Sequence, residues 1–193
     1  MLTRRKLINQ AISEASELDP EWGKPKDYGK TTLPLYQTDP RVVADCLKLV
    51  PFDDCDVVLD VGSGNPKVFY EELKNYPVER YECEIQDGVD FFTLPANDNA
   101  RGFDWCIGNP PFEKRWSVIE HAAKICTKGF AFIFNQGGLN ALTPKRRQVL
   151  QDLGWYQHSQ FIFSDKRWFG RYSWLVFTKT PNTQVSWHLG TYK

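Results

Sequence analysis

Two continuous apolar runs, each ending in a turn rich in glycine and proline, constrain the fold of this chain most. The first, Val57–Val61, is rich in β-branched residues and leads directly into Gly62-Ser63-Gly64-Asn65-Pro66. The second, Phe103–Ile107, leads into Gly108-Asn109-Pro110-Pro111-Phe112. Strands without polar alternation are typical of a parallel sheet that is covered on both faces. The sequence therefore predicts an α/β fold with a ligand site beyond the carboxyl ends of the strands.

Further strands and helices alternate along the chain, as they do in βαβ units. Strands are predicted near Arg80–Glu84, Val89–Phe92, Gly129–Phe134, Gln160–Phe163 and Ser173–Thr178. Helices are predicted over residues 3–18, 41–50, 66–74, 114–126 and 143–153, with Asp39-Pro40 and Thr143-Pro144 as helix starts. The connection between the last two strands is too short for a crossover helix, so these strands should pair antiparallel.

The composition fits one globular domain and excludes several other classes of protein. The 193 residues are 41% hydrophobic and 15% aromatic, which excludes a mainly disordered chain. No apolar run reaches the roughly 20 residues that cross a bilayer, and acidic residues near the start argue against a signal or transit peptide. Five cysteines and three histidines lack metal-ligand spacing, so we expect reduced thiols and no metal. These features predict a cytoplasmic protein of a prokaryotic cell or a phage-infected host.

The net charge of zero hides an uneven distribution along the chain. Residues 1–100 carry 11 Lys and Arg against 19 Asp and Glu, whereas residues 101–193 carry 13 against 5. Such asymmetry indicates that one side of the molecule could meet a polyanion.

The glycine turn after Val57–Val61 is the first candidate site. Its two glycines allow a tight turn and a close approach of the backbone to a ligand. The turn lacks the lysine and the hydroxyl of a P-loop and the third glycine of a dinucleotide site. On its own it predicts only a ligand-binding turn, and an ordinary turn after a strand remains the alternative.

The turn Asn109-Pro110-Pro111-Phe112 is more specific. Two successive prolines stiffen the backbone and remove two donors, so the segment presents acceptors, namely the Pro110 carbonyl and the side-chain oxygen of Asn109. Clustered acceptors can hold the hydrogens of an amino group while its lone pair attacks an electrophile. Phe112 offers a flat face for a planar group. The alternative is a proline-rich turn with a core phenylalanine.

Together the two turns resemble class I S-adenosylmethionine-dependent methyltransferases that methylate amino groups. The resemblance covers about residues 34–178 and is closest to the DNA adenine-N6 methyltransferases whose cofactor motifs precede NPPF. RNA-adenine and protein-glutamine enzymes share the NPP[FY] pattern. The resemblance implies a Rossmann-like fold with a mostly parallel seven-stranded sheet and an antiparallel C-terminal hairpin strand.

The resemblance also assigns roles to residues. Asn109, Pro110, Pro111 and Phe112 would carry catalysis. The cofactor S-adenosyl-L-methionine would be bound by Tyr36, Thr38, Asp60, Gly62, Gly64, Glu84, Ile85, Asp90, Phe91 and Asn109. Glu82 shares a face with Glu84 at the second strand and is the other candidate for the ribose hydroxyls. Only five residues separate Glu84 from Asp90, so the usual second helix is missing.

A flipped or single-stranded adenine would need further contacts. Phe112 and the aromatic residues Trp168 and Phe169 could stack on the base, and Lys166, Arg167 and Arg171 could meet phosphates. Ordinary solvated loops remain the alternative there and for Lys145-Arg146-Arg147.

We therefore expect residues 34–180 to form a catalytic domain, preceded by a helix and extended loop over 1–33 and followed by a tail over 181–193. The expected activity is N6-adenine methylation of DNA with short or relaxed specificity, because no insertion is long enough for a recognition domain. The expected partner is nucleic acid, with no membrane and no metal. The alternatives are the same chemistry on RNA adenine or protein glutamine, or a non-catalytic cofactor-binding subunit.

Overall fold

A computed structural model describes residues 38–94, 102–111, 114–165, 170–182 and 184–192. The helices in these ranges are α1 (Pro40–Leu47), α2 (Val68–Glu72), α3 (Arg115–Ile125), α4 (Gln136–Leu139) and α5 (Pro144–Asp152). The strands are β1 (Val57–Val61), β2 (Glu79–Cys83), β3 (Phe103–Gly108), β4 (Cys126–Asn135), β5 (Tyr156–Asp165), β6 (Tyr172–Thr178) and β7 (Ser186–Tyr192). The helix predicted over 3–18 and the loop that follows it lie outside the described residues.

The strands form one sheet in the order β2-β1-β3-β4-β6-β5-β7. Only β6 runs against its neighbours β4 and β5, and the other pairings are parallel. This confirms the mostly parallel seven-stranded sheet and the antiparallel pairing of β5 with β6. Because β1 to β5 point the same way, their last residues lie along one side of the sheet, here called the carboxyl end. The side where these strands begin is called the amino end.

Helices cover both faces of the sheet and complete a three-layer core. On one face, Val118 and Ile119 of α3 and Leu150 of α5 pack against strand residues such as Phe130. On the other, Val43 of α1 and Phe69 of α2 pack in a second buried cluster; the Phe69 ring stacks on Trp174 of β6 at 5.4 Å. The all-buried pattern of β1, β3 and β6 follows from this double cover.

Both predicted helix starts are confirmed. The Asp39 carboxylate accepts a hydrogen bond from Arg41 N at 2.8 Å, with Pro40 in the first turn of α1. The Thr143 hydroxyl accepts from Arg146 N at 3.3 Å, with Pro144 in the first turn of α5. Such side-chain caps satisfy amide groups that have no partner within the helix.

The strand predicted at Val89–Phe92 is wrong. The chain instead makes two 3₁₀ turns, Ile85–Asp87 and Phe91–Thr93. Each turn is capped by the carboxylate before it: Glu84 accepts from Gln86 N at 3.1 Å and Asp90 from Phe92 N at 3.0 Å. These local side-chain bonds to the backbone compete successfully with strand pairing.

The seventh strand lies in the segment that was expected to be a C-terminal tail. β7 pairs in parallel with β5, from Ser159 with Ser186 to Asp165 with Tyr192. The Tyr192 hydroxyl also donates to the Asp45 carboxylate of α1 at 2.6 Å. Trp187 and Leu189 remain 63% and 82% exposed. The strand is therefore held by backbone pairing and its last residue, with little burial.

Candidate active site at the carboxyl end of the sheet

The glycine turn after β1 is fixed by hydrogen bonds to the end of β2. The amides of Gly62 and Ser63 both donate to the Cys83 carbonyl, at 2.9 and 3.2 Å. Gly64 has a φ of +65°, which side chains rarely adopt. A Cβ placed on Gly64 would meet no atom of the described residues within 4 Å. The turn is therefore tied to the end of β2 by backbone hydrogen bonds, and among the described residues none fills the space beside Gly64, where a ligand could lie.

The two acidic candidates at the end of β2, Glu82 and Glu84, have different partners. Glu84 accepts from Gly64 N at 2.9 Å, and its second oxygen accepts from Gln86 N. Glu82 accepts from the Ser63 hydroxyl at 2.8 Å and from Lys67 Nζ at 2.6 Å. Glu84 thus touches the backbone of the glycine turn directly, whereas Glu82 is neutralised by a lysine that the sequence analysis did not single out. Ile85 follows Glu84 and is half-buried.

Asp60, near the end of β1, is an under-satisfied buried carboxyl. It is 1% exposed. One oxygen accepts from Tyr70 N at 3.0 Å, and the other, Oδ1, has no hydrogen-bond partner among the described residues. Burial raises the pKa of Asp60 to about 8, and the nearby Glu82 and Glu84 act in the same direction.

Gly108 lets the end of β3 approach the end of β1 closely. Its φ is +141°, and a Cβ there would lie 2.6 Å from the Val61 carbonyl oxygen and 3.0 Å from Asp60 Oδ1. Past it, Pro110 Cα and Pro111 Cδ would each lie 3.7 Å from a Cβ on Gly62. The glycine turn and the Asn-Pro-Pro turn, 46 residues apart, therefore touch, as expected for neighbouring parallel strands.

The Asn109 side chain presents a buried acceptor with no partner. Its Nδ2 donates to the Thr38 hydroxyl at 3.3 Å, which orients the amide. Its Oδ1 is buried and has no hydrogen-bond partner in the part of the chain that the structure describes. Native proteins pair most buried polar atoms, so an orphaned oxygen in this position is suited to receive a hydrogen from a ligand.

The side-chain contacts of Asp90 and Phe91 with other described residues involve neither of the two turns. The Asp90 carboxylate caps the second 3₁₀ turn, as described above. Phe91 is buried in the core, with its ring centroid 4.8 Å from that of His121 on α3. Phe91 is therefore a core residue, and the Asp90 carboxylate is engaged in capping the 3₁₀ turn.

Several predicted residues fall outside the described ranges, namely Tyr36, Phe112, Lys166, Arg167, Trp168 and Phe169. Arg171 is exposed, and its carbonyl accepts from Gln136 N at 3.2 Å at the start of α4. Because β5 ends and β6 begins at the carboxyl end, the connection between them starts and finishes at the same end of the sheet as the two turns.

The sequence analysis missed contacts that depend on helix packing. Arg115 at the start of α3 donates to Asn135 Oδ1 at 2.8 Å, and the same oxygen caps α4 through Gly138 N. The Arg146 guanidinium lies 4.8 Å from the Trp116 ring centre, which joins α5 to α3. Thirty positions separate those two residues, and no sequence spacing signals that they meet.

No protein-family model and no curated protein matches the chain. Solved structures do match. A candidate class I S-adenosylmethionine-dependent methyltransferase from Listeria monocytogenes is 14% identical, with a TM-score of 0.60 over 96% of this chain and 75% of that one. A candidate RNA methyltransferase from Pyrococcus horikoshii is 16% identical, with a TM-score of 0.52 over 94% and 100%.

A magnesium protoporphyrin IX methyltransferase from Synechocystis PCC 6803, solved with bound SAH, is 16% identical, with a TM-score of 0.50 over 92% and 99%. At such identities the likeness establishes the fold. This chain has the Rossmann-like fold of class I methyltransferases, which confirms the predicted fold class.

The described ranges contain neither a membrane-spanning helix nor a metal-binding cluster. None of the helices there is both long and apolar enough to span a bilayer. No group of three or more His, Cys, Asp or Glu side chains is placed to hold a metal ion in those ranges.

Proposed function

We propose that this protein is an S-adenosylmethionine-dependent methyltransferase that methylates the N6 amino group of adenine in DNA, with short or relaxed sequence specificity. The observation that carries the proposal is the buried Asn109 Oδ1, which has no hydrogen-bond partner among the described residues. This oxygen lies in a turn that touches a glycine turn facing open space. An acceptor of this kind beside a cofactor-binding turn is what transfer to an amino group requires.

The described residues fit the proposed cofactor. Open space at the Gly64 Cβ position leaves room for the methionine end of the molecule. Glu84 and Ile85 would face its ribose and adenine, and Thr38 would lie near its carboxylate. When bound, S-adenosylmethionine supplies a methyl group made electrophilic by the sulfonium.

The chain's own contribution to chemistry is positioning. The lone pair of an aromatic amine is delocalised into its ring, which makes the amine a poor nucleophile. Asn109 Oδ1 and the Pro110 carbonyl would accept its two hydrogens and favour a pyramidal nitrogen with its lone pair directed at the methyl. Preorganised acceptors of this kind cost no rearrangement during the reaction. The prolines add no competing backbone donor at this point.

The preference for nucleic acid rests on the sequence between β5 and β6. Lys166, Arg167 and Arg171 can meet phosphates, and Trp168 or Phe169 can stack on an extruded base together with Phe112. Methylation of RNA adenine or of protein glutamine would use the same Asn-Pro-Pro acceptors. These alternatives differ from the DNA proposal only in the substrate that enters the site. A non-catalytic subunit would have no need of an unpartnered acceptor at Asn109.

The deciding experiment measures tritiated methyl transfer to DNA, RNA and a protein extract side by side. We expect label in DNA, recovered as N6-methyladenine when the nucleosides are identified by mass spectrometry, and spread over many short sequence contexts. Asn109→Ala is the control for contaminating activity. Label confined to RNA or protein, or N4-methylcytosine as product, would contradict the DNA-adenine assignment.

A further inference from the structure

We propose that β7 pairs with the β7 of a second copy of this chain, which joins two molecules edge to edge into a dimer with two-fold symmetry. This inference concerns assembly and goes beyond the proposed function, because it does not depend on which substrate is methylated. It rests on the open edge at β7, on the residue types of that edge, and on the symmetry that its length allows.

The outer side of β7 is available for pairing. The strand order places β2 and β7 at the two edges of the sheet. β7 pairs with β5 along one side, and among the described residues no strand lies along its other side. The backbone groups on such a side form a template for another strand. β7 runs for seven residues, from Ser186 to Tyr192, which exceeds the roughly five to six residues of a typical strand.

The two edges of the sheet differ in how they are protected from pairing. β2 reads Glu-Arg-Tyr-Glu-Cys, so charged side chains occupy three of its five positions. Natural sheets use charged residues, prolines and bulges to keep their edges from pairing with other chains. β7 reads Ser-Trp-His-Leu-Gly-Thr-Tyr, with no Asp, Glu, Lys, Arg or Pro, and its register with β5 is unbroken. Of the two edges, β7 is therefore the one that permits pairing.

Two large apolar side chains of β7 share one face of the sheet. Tyr192 belongs to the buried cluster beneath α1. Because side chains alternate between the faces along a strand, Trp187 and Leu189 lie on the other face, where they are 63% and 82% exposed. Pairing with a further strand would place cross-strand neighbours beside both side chains and remove part of their apolar surface from water.

Charge favours a second copy of this chain as the partner. β7 carries no acidic or basic residue other than His188, so the strand offers an acidic or a basic partner little electrostatic attraction. The formal net charge of the whole chain is zero. Two copies therefore approach each other without the repulsion that a large net charge produces, and an uncharged strand is complementary to itself.

A two-fold axis perpendicular to the sheet fits the length and the faces of β7. With the axis between the two copies of Leu189, all seven residues are paired antiparallel, and any shifted register pairs fewer. Leu189 then lies opposite its own copy, and Trp187 lies opposite Thr191 of the partner subunit. Such an axis keeps the two sheets facing the same way, so the apolar side chains of both copies form one strip. Two-fold interfaces of this self-complementary kind are the commonest among homo-oligomers.

The first test measures the oligomeric state of the full chain by analytical ultracentrifugation at micromolar concentrations. The variant is Leu189→Lys, which places two like charges opposite each other at the axis. The matched control is Leu153→Lys, the same change at a leucine that follows α5 and is 55% exposed. Since both leucines are exposed, both variants should fold, and thermal melts verify this.

We expect wild type and Leu153→Lys to be dimers with the same dissociation constant. Leu189→Lys should raise that constant at least tenfold, because like charges placed opposite each other are strongly unfavourable. A monomeric wild type, or a dimer that Leu189→Lys leaves unchanged, overturns the proposal. A monomer whose amides at 186–192 are protected from hydrogen exchange overturns it too, and indicates that another part of the same chain covers this edge.

A second test examines the register through cross-linking. Directly opposite residues of an antiparallel pair have Cα atoms about 4.5–5.5 Å apart, which lies within the range that a disulfide spans. We expect Leu189→Cys to give a covalent dimer when air and a copper catalyst oxidise the two thiols. Trp187→Cys is the control, because its own copy is not opposite. Both variants carry Cys55→Ser, since Cys55 is the exposed one of the five free cysteines. Equal cross-linking of the two variants overturns the register.

Discussion

Two aspartates, one just before β1 and one within it, show how differently the two ends of the sheet are built. Asp56 precedes the strand at the amino end and is 2% exposed. Its carboxylate accepts from Asp53 N at 3.0 Å, from Trp105 Nε1 at 2.9 Å and from Lys128 Nζ at 2.6 Å. Asp60, four residues later, is equally buried, but the described residues give it one hydrogen bond, from Tyr70 N. One carboxylate is fully used by the fold and the other is not.

The neighbouring strand β3 repeats this difference. At the amino end, Asp104 accepts from Val57 N at 2.9 Å and from the Thr127 hydroxyl at 2.6 Å. At the carboxyl end, Asn109 Oδ1 has no described partner. An unpaired buried polar group costs about 1–3 kcal/mol. The amino end is therefore built for stability, whereas the carboxyl end keeps unmet acceptors where a ligand can use them.

Among the substitutions that test this comparison, Asn109→Ala is expected to have the largest effect, on the rate of methyl transfer. Loss of the acceptor should slow methyl transfer by about 10²-fold or more, by analogy with the loss of one preorganised polar contact. Folding stability should change little, because the side chain makes one 3.3 Å hydrogen bond, to Thr38. Single-turnover rates and urea unfolding measure the two quantities. Undiminished transfer would mean that the amino group is held elsewhere.

Asp56→Ala should have the opposite effect, namely a loss of folding stability with little change in methyl transfer. Removing this carboxylate leaves the buried Trp105 Nε1 without its acceptor and Lys128 with one partner fewer. Because Lys128 keeps Asp53 and partial exposure, we expect a loss of roughly 2–3 kcal/mol in the free energy of unfolding. Methyl transfer by the folded fraction should stay within about twofold of wild type. A large loss of turnover without loss of stability would break the proposed division between the two ends.

The sequence predicted the elements whose signal is local. β1 and β3 are continuous apolar runs, and α1 and α5 start at an aspartate or threonine before a proline, so each could be placed without tertiary information. The turns that follow β1 and β3 could be placed at one site because parallel neighbouring strands end together.

The parts that were missed depend on contacts between distant residues. Residues 89–92 carry a β-like pattern, but the caps from Glu84 and Asp90 favour 3₁₀ turns. β7 pairs with the edge of β5 that β6 leaves open. Its residue Trp187 is exposed, so this segment has no pattern of buried apolar residues from which a strand could be predicted. Whether Asn109 has a partner is a property of packing that no spacing of residues reveals.

A smaller effect concerns the open space at the glycine turn. Gly64→Ala places a methyl group where a ligand is expected, and we predict about tenfold weaker binding of S-adenosylmethionine. Gly154→Ala is the matched control: its φ is +78°, and the nearest atoms to a new Cβ belong to the Lys179 side chain at 3.9 Å. Both variants should lose about 1–2 kcal/mol of stability through backbone strain. Calorimetry that finds equal affinities in the two variants would place the ligand away from this turn.

The smallest predicted difference between the two ends of the sheet concerns how the stability of the protein depends on pH. Because burial raises the pKa of Asp60 to about 8, the folded protein holds a proton that the unfolded chain releases above about pH 4. The folded state then binds more protons, so this group makes stability fall as pH rises from about 4 to 8, by at most about 1.4 kcal/mol per pH unit. Asp60→Asn keeps an acceptor for Tyr70 N and cannot titrate.

Urea unfolding at a series of pH values from 4.5 to 8.5 should therefore give a flatter profile for Asp60→Asn than for wild type. Burial lowers the pKa of His121, which acts in the opposite direction below about pH 6.5, but His121 is present in both proteins and cancels in the difference. Asp54→Asn, a change at an exposed carboxyl before β1, controls for the loss of one charge. Parallel profiles for wild type and Asp60→Asn would show that Asp60 is ionised at neutral pH.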